Sequence, residues 1–211
     1  AVDPNLRHYP GMFRGYRCKL ARLLGLDYLV LDRPLTRMPP HMPRPNATLM
    51  FSSDQIYVYK LGRAAPRAYV ASRVIPVDSQ AAIGEDAMPD FDGAREALVD
   101  QSNMDALDPS LSDASRQAPA DARVSIAVYE GDRVVIDVET DRDGLLVLHD
   151  LYYPGWEARL DGAPVPIVKA NLLFRGVQAP KGRHRVEFLF QPFSLTNLAS
   201  AASTVLEGKD D

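Results

Sequence analysis

The sequence predicts an α+β chain in which a small α/β-type N-terminal unit is followed by an all-β sandwich of about seven strands. Helix and strand patterns alternate up to residue 100, whereas alternating apolar residues separated by turns dominate after residue 120. Between them, residues 101–120 are rich in Ser, Asp, Ala, Gln and Pro and lack aromatic residues, a composition typical of a flexible linker or loop. We therefore expect a mixed unit at 1–100, a linker at 101–120, the sandwich at 121–195 and a tail or short helix at 196–211.

Residues 1–100 contain apolar patterns typical of helices and others typical of strands. In "GYRCKLARLLG", Tyr16, Leu20, Leu23 and Leu24 share one helical face, and Gly25 stands where a C-terminal cap belongs. The apolar run "DYLVLDRP" predicts a buried strand, and "QIYVYKL" and "PRAYVASRVIPV" predict further strands. The proline-rich stretch "RPLTRMPPHMPRPNA" predicts an exposed loop because proline excludes regular structure.

The second part shows strands separated by turns. Apolar residues alternate at 124, 126 and 128 and again at 134, 136 and 138, on either side of the turn "EGD", which indicates a β-hairpin. The Asp161-Gly162 pair predicts a second hairpin with a two-residue turn. Strands spaced by roughly 8–12 residues are typical of a β-sandwich.

Composition excludes several functional classes. A net charge of −4 and a pI near 5.6 argue against a surface that binds nucleic acid. Cys18 is the only cysteine, so no intrachain disulfide is possible, and the four histidines lie too far apart in sequence for a zinc motif. We expect no metal and no cofactor. No window reaches the ~18 consecutive apolar residues of a membrane span. Motifs that would identify a nucleophile, a phosphate loop or a catalytic acid and base are lacking, so we expect no catalytic residue.

The most suggestive chemistry lies in "LLVLHDLYYPGWEARLDG". Aromatic faces at Tyr152, Tyr153 and the only tryptophan, Trp156, are suited to stacking on sugar rings, and Arg159 and Asp161 can supply hydrogen bonds. These five residues are the candidate carbohydrate-binding site.

A structural role competes with this interpretation. Trp156 shares one strand face with Ala158 and Leu160, and a tryptophan at the start of a sandwich strand more often packs between the sheets. His149 follows an apolar run and predicts a core or rim histidine. The basic residues between Lys169 and Arg185 can meet lipid phosphates, or they can form an ordinary charged sheet face.

The stretch "LLVLHDLYYPGWEARLDGAPVPIVKANLLFRGVQAPKGRHRVEFLFQPFS" resembles the C-terminal signature of the YfhO family of bacterial polytopic membrane proteins. The shared pattern is a Tyr-Tyr-Pro-Gly-Trp segment, an Asp-Gly turn, an Asn before an aromatic-Arg-Gly-Val strand, a Gly-x-His turn and a Pro-Phe-Ser exit. It is densest over residues 144–195. The segments "LARLLGLDYLVLDRP" and "APRAYVASRV" resemble earlier parts of the same family.

This resemblance implies a parent related to GT-C glycosyltransferases, which use polyprenyl-phosphate sugars on the outer side of the cytoplasmic membrane. It implies catalysis by acidic residues of an early extracytoplasmic loop that these 211 residues do not include, so no catalytic residue is carried over. Family members commonly return to a membrane helix after the Pro-Phe-Ser exit, whereas "LTNLASAASTVLEGKDD" turns polar. The parent is therefore expected either to end there or to have been cut.

We therefore expect a non-catalytic accessory domain on the periplasmic or extracellular side of a bacterial membrane. Its expected partners are the rest of the parent protein, the nearby membrane, and a glycan or polyprenyl-phosphate sugar, with no nucleic acid. Two alternatives are a secreted carbohydrate-binding β-sandwich and a protein-interaction module without catalysis.

Overall fold

The computed structural model describes residues 22–37, 46–62, 65–84, 88–93, 95–116 and 119–194. The protein is mainly β, with three sheets and few helices, so the α+β prediction holds only loosely. Helical structure in these ranges outside 22–23 consists of one short α-helix, Ser79–Gly84, and 3-10 helices at Leu35–Arg37, Gln101–Ala106 and Pro109–Ser112. The predicted C-terminal tail lies outside the described residues.

The described ranges contain fourteen strands. In chain order they are β1 (Tyr28–Leu31), β2 (Ala47–Ser52), β3 (Tyr57–Leu61), β4 (Ala68–Ala71), β5 (Arg73–Val77), β6 (Glu96–Asp100), β7 (Ala122–Tyr129), β8 (Arg133–Thr140), β9 (Gly144–Leu151), β10 (Trp156–Leu160), β11 (Ala163–Val165), β12 (Val168–Ala170), β13 (Phe174–Ala179) and β14 (Gly182–Phe190).

The chain divides into two compact units whose boundaries differ from the predicted ones. The first contains Ala1–Arg67 and Gln80–Asp90, and the second contains Ala68–Ser79 and Phe91–Asp211. The difference arises because β4, β5 and β6, which lie within the predicted N-terminal unit, hydrogen-bond into a sheet of the second unit. Hydrogen bonding between strands that are far apart in the chain cannot be predicted from the residues near each strand.

The first unit contains an antiparallel three-stranded sheet in the order β1-β3-β2. Strands β1 and β3 were predicted, whereas β2 was not. Strand β1 is not the buried strand that was expected, because Tyr28 and Val30 are 50% and 68% exposed. Most of the predicted helix before β1 and the centre of the proline-rich loop lie outside the described residues. At the end of that helix Gly25 has a φ of 83°, the left-handed conformation expected of a C-terminal cap.

The second unit is a sandwich of two sheets. One has the order β11-β10-β14-β8-β7, and the other has the order β4-β9-β13-β12-β6-β5. Eight strands lie between residues 122 and 190, close to the predicted seven, and three earlier strands complete the second sheet. Both predicted hairpins are present, since β7 pairs with β8 and β10 pairs with β11 antiparallel.

Strand β9 shows how the layers are built. Successive side chains of a strand point to opposite faces, and here Leu146 and Leu148 join the core between the two sheets, where Ile136 and Phe188 meet them from the five-stranded sheet. On the other face, Leu145 and Val147 belong to a second apolar cluster. The six-stranded sheet is therefore covered on both sides. This agrees with the continuous apolar run of β9, which has to be buried on both faces.

The cover on the second face is the segment predicted to be a linker. Its Leu107 and Leu111 are 6% and 0% exposed and belong to the same cluster as Leu145. Asp108 starts one 3-10 helix by accepting a 2.8 Å hydrogen bond from the Ser110 amide. Residues 101–116 are therefore a structured layer of the core rather than a flexible linker. Leu107 and Leu111 bury enough apolar surface to hold the segment in place, although its average composition is polar.

Changing Leu111 to Ala should lower the free energy of unfolding by about 2–5 kcal/mol, because the deletion leaves a cavity under the six-stranded sheet. Urea unfolding followed by circular dichroism measures this loss. Leu151→Ala is the matched control, because Leu151 is 52% exposed and the same deletion there leaves no cavity. An equal, small effect of both changes would contradict the covering role of residues 101–116.

Changing Gly162 to Val should also destabilise the sandwich. The turn between β10 and β11 has φ angles of 51° at Asp161 and 86° at Gly162, and a β-branched residue in that conformation should cost about 2 kcal/mol. Space is not the problem, since a Cβ at Gly162 would meet nothing within 4 Å. The matched control is Gly131→Val, a turn glycine with equal space and no positive φ. Equal melting temperatures for the two variants would show that the backbone angle is not limiting.

Candidate functional site

Three aromatic rings meet at the start of β10. The Tyr153 ring lies edge-on to Trp156 and to Phe190, with centroid distances of 6.2 and 5.5 Å, and the centroids of Trp156 and Phe190 are 5.4 Å apart. Trp156 and Phe190 are also cross-strand partners in the β10–β14 pair. Edge-on and tilted packing is the favourable arrangement for aromatic rings.

The Pro154-Gly155 break allows this packing. Gly155 has a φ of 104°, and a Cβ built on it would lie 2.5 Å from Cε2 of Phe190. Its carbonyl accepts a 2.6 Å hydrogen bond from the Gln191 amide, which ties the break to the end of β14. Glycine is required at this position for both conformation and space.

Arg175 fills the end of the sandwich beside these rings. Its guanidinium carbon lies 3.8 Å from the Trp156 ring centroid and 5.2 Å from that of Phe188. Its Nη2 donates a 3.0 Å hydrogen bond to Oδ2 of Asp150. The residue is only 2% exposed, and this burial lowers the pKa of the guanidinium, while the charge of Asp150 opposes the shift. A buried cation is stable here because it has a carboxylate partner and an aromatic face.

Strand alternation and a bulge bring the pair together. Arg175 is on the same face of β13 as Val177 and Ala179, which belong to the core between the sheets. The β9–β13 register shifts between Phe174 and Arg175, where two extra residues of β9 are accommodated. One of these is Asp150, and bulges commonly redirect side chains in this way.

A groove of about 390 Å³ opens over the pair. It is lined by Tyr129, Asp150, Tyr153, Trp156 and Arg175, with Glu130, Gly131 and Leu151. The Tyr129 hydroxyl donates a 2.8 Å hydrogen bond to Oδ1 of Asp150, so the two carboxylate oxygens are held by different partners. We call this set of residues the Arg175 groove.

The structure brings together some of the predicted site residues and separates others. Tyr153 and Trp156 line the Arg175 groove, whereas Tyr152 is 40% exposed beside it without lining it. Arg159 is exposed further along β10. Asp161 lies at the opposite end of that strand, about 16 Å away at 3.3 Å per residue.

Asp161 belongs to a different, charged surface. Its carboxylate accepts a 2.8 Å hydrogen bond from the Arg185 amide and lies 2.7 Å from Nδ1 of His184. These contacts lower the pKa of Asp161, the Arg185 backbone more than His184. The basic residues that sequence grouped together are mostly paired with carboxylates: Lys169 with Asp100, Arg175 with Asp150, Arg183 with Glu139, and Arg185 with Asp137. Arg183 and Arg185 therefore belong to an ordinary charged sheet face of β14, whereas Arg175 is buried in the other sheet.

A second buried polar cluster lies in the six-stranded sheet. Asn171 donates through Nδ2 to the Tyr69 hydroxyl at 3.1 Å, and the same nitrogen lies 3.3 Å from Nε2 of His149. The Tyr69 hydroxyl donates in turn to the carbonyl of Glu96 at 2.9 Å. His149 is 2% exposed, as expected for a core histidine. Burial raises the pKa of Tyr69 and keeps its hydroxyl neutral.

Among the residues that the structure describes, no group of three or more His, Cys, Asp or Glu side chains is arranged to hold a metal ion. The helices in the same ranges are all too short or too polar to cross a membrane.

Residues 98–199 match the family model described as bacterial membrane protein YfhO. This segment, just under half of the chain, supports assigning the protein to the YfhO family. No curated protein and no solved structure gives a significant match to the chain. The match confirms the resemblance seen at 144–195, whereas the similar stretches in the first part lie outside it.

Every side chain that lines the Arg175 groove lies inside the YfhO segment. The sequence did not predict Tyr129 and Asp150 as groove residues. Tyr129 belongs to β7, which is distant from Trp156 in the chain, and Asp150 belongs to β9, which a turn separates from Trp156. Arg175 was noticed only as one of several basic residues. The available signal was its position in a mostly apolar strand, between Phe174 and Gly176, both of which are buried in the structure.

Changing Arg175 to Met should lower the free energy of unfolding by about 3 kcal/mol, because the change leaves Asp150 without its cation at a largely desolvated position. The double variant Arg175→Met/Asp150→Asn should recover part of that loss, since neither charge then remains. Urea unfolding of the two single variants and the double variant measures the coupling. A loss within 0.5 kcal/mol for Arg175→Met, the range of ordinary surface changes, would contradict the structural role of the pair.

Proposed function

We propose that this chain is an extracytoplasmic accessory domain of a polytopic membrane protein that resembles GT-C glycosyltransferases. We place it on the periplasmic or extracellular side, where it assists cell-envelope glycan modification by positioning the sugar of a glycan or a polyprenyl-phosphate sugar. The observation that carries this proposal is the Arg175 groove, which lies within the segment that matches a bacterial membrane protein family.

The chemistry of the groove suits a sugar. Tyr129 and Tyr153 are 51% and 44% exposed and form an aromatic rim. Asp150 presents carboxylate oxygens below them, and Arg175 holds that carboxylate in place. A carboxylate is a strong acceptor for hydroxyl groups, and an aromatic rim can cover the apolar face of a sugar ring.

Trp156 is better suited to report binding than to form an open platform. Arg175 covers one of its faces at 3.8 Å, and Tyr153 and Phe190 also pack against the ring. A ligand in the groove would therefore contact Tyr153 and change the surroundings of the only tryptophan. Its fluorescence is a site-specific signal without any labelling.

Titration of the 211-residue chain with glucose, N-acetylglucosamine and their 1-phosphates should change the Trp156 emission in a saturable way for at least one of these sugars. Tyr153→Ala should weaken that sugar about tenfold, because it removes the ring that forms the rim. Tyr129→Phe should weaken it less, since it keeps the ring and loses only the hydroxyl that holds Asp150. Saturation-transfer NMR on the sugar protons provides an independent readout.

Tyr152→Ala is the matched control, because Tyr152 is similarly exposed and adjacent in sequence but does not line the groove. It should leave the affinity unchanged. Equal weakening by Tyr152→Ala and Tyr153→Ala would move the site away from the groove. Saturable binding of none of the four probes by either method would contradict the sugar-binding part of the proposal.

A further inference from the structure

One face of the three-stranded sheet of the first unit is apolar and exposed. Residues directly opposite one another in a sheet share a face, so the register places Phe51, Val58 and Val30 in one row across β2, β3 and β1. Phe51 and Val30 are 56% and 68% exposed, and Val58 between them is partly exposed.

The neighbouring row on this face gives it an amphipathic character. Thr48, Lys60 and Tyr28 occupy matching positions on the three strands. Tyr28 is 50% exposed, and Nζ of Lys60 lies 6.0 Å from the centroid of its ring. We call these two rows the β1-β3-β2 face.

The opposite face of the sheet is packed where β1 and β3 form it. It carries Tyr59, which is 7% exposed, and Leu29, which is partly buried. The Tyr59 hydroxyl accepts a 3.1 Å hydrogen bond from the amide of Leu35, which is also buried. On β1 and β3 the two faces therefore differ in exposure, whereas on β2 Leu49 of the opposite face is also 49% exposed.

Charge distinguishes this part of the chain from the rest. Residues 1–67 contain eleven Lys and Arg against four Asp and Glu, a net charge of +7, whereas residues 68–211 contain thirteen against twenty-four, a net charge of −11. Including Glu85, Asp86 and Asp90 of its second segment, the first unit remains at +4. Such an asymmetry within one chain is a recognised sign of a polyanionic partner.

We propose that the β1-β3-β2 face docks onto an anionic lipid surface. Exposed Phe, Tyr and Val side chains with an adjacent lysine provide what interfacial binding needs, namely apolar groups that enter the headgroup region and a positive charge that attracts anionic headgroups. The net positive charge of residues 1–67 favours an anionic lipid surface over a neutral or cationic one. The match of residues 98–199 to a bacterial membrane protein family supports a bilayer as the anionic partner. This inference is independent of sugar binding, since none of the groove residues belongs to the first unit.

Sedimentation with phosphatidylcholine vesicles, and with vesicles of equal parts phosphatidylcholine and phosphatidylglycerol, tests the proposal on the whole 211-residue chain. We expect binding to the anionic vesicles that exceeds binding to the neutral ones and that weakens as salt is raised. Val30→Thr/Phe51→Thr should reduce the partition coefficient for anionic vesicles by about tenfold, because it removes the apolar row. Lys60→Gln should reduce it less and should lower its salt dependence.

Phe193→Thr is the matched control, because Phe193 is 85% exposed and belongs to the second unit. It should leave the partition coefficient unchanged, and thermal unfolding should show that all four proteins are equally folded. Binding to neither vesicle would overturn the proposal, and so would equal weakening by Phe193→Thr. Concentration-dependent self-association that Val30→Thr/Phe51→Thr abolishes would also overturn it, by showing that a second copy covers the face.

Discussion

The six-stranded sheet depends on the side chain of Asn171. Strands β6 and β12 pair through a single register position, Ala170 with Val99, and the ladder would end there without a further contact. Asn171 extends it: its amide donates to the Leu98 carbonyl at 2.7 Å, and its Oδ1 accepts from the Leu98 amide at 3.0 Å. A side chain thus completes a backbone pairing over 73 residues of sequence.

The same asparagine explains why the polar cluster around it is tolerated in the core. Its Nδ2 donates to Tyr69 of β4, so one side chain links β4, at one edge of the sheet, to β6 near the other edge. Asn171 has a φ of 47°, a conformation that asparagine accepts more readily than most residues. A fully hydrogen-bonded buried network specifies one arrangement of strands, whereas an apolar substitute would leave the Leu98 amide without its acceptor.

Features that depend on neighbouring residues were predictable from the sequence. The β7–β8 and β10–β11 hairpins follow from alternation and from the Asp161-Gly162 turn, and the structure has both. The family resemblance at 144–195 also survives comparison. Features that depend on distant pairing were not predictable, because nothing near Val70 or Leu98 indicates that these strands join β9 and β12. The prediction of a linker at residues 101–120 was wrong for a related reason. Composition describes the average polarity of a segment, whereas two buried leucines, Leu107 and Leu111, fix this segment to the core.

The Arg175 groove is formed partly by neighbouring residues and partly by distant strands. Its residues also differ in whether they serve recognition alone or folding as well. Its floor, Arg175 and Asp150, is also the polar end of the sandwich core, so any change there alters stability together with recognition. Its rim differs, because Tyr129 and Tyr153 expose about half of their surface, so truncation there removes less buried area than truncation of the floor. A site whose floor is buried and whose rim is half-exposed can change its ligand by rim substitution at a smaller cost in stability. The rim tyrosines are consequently the positions at which this domain can carry specificity, and Trp156 between rim and floor senses the state of both.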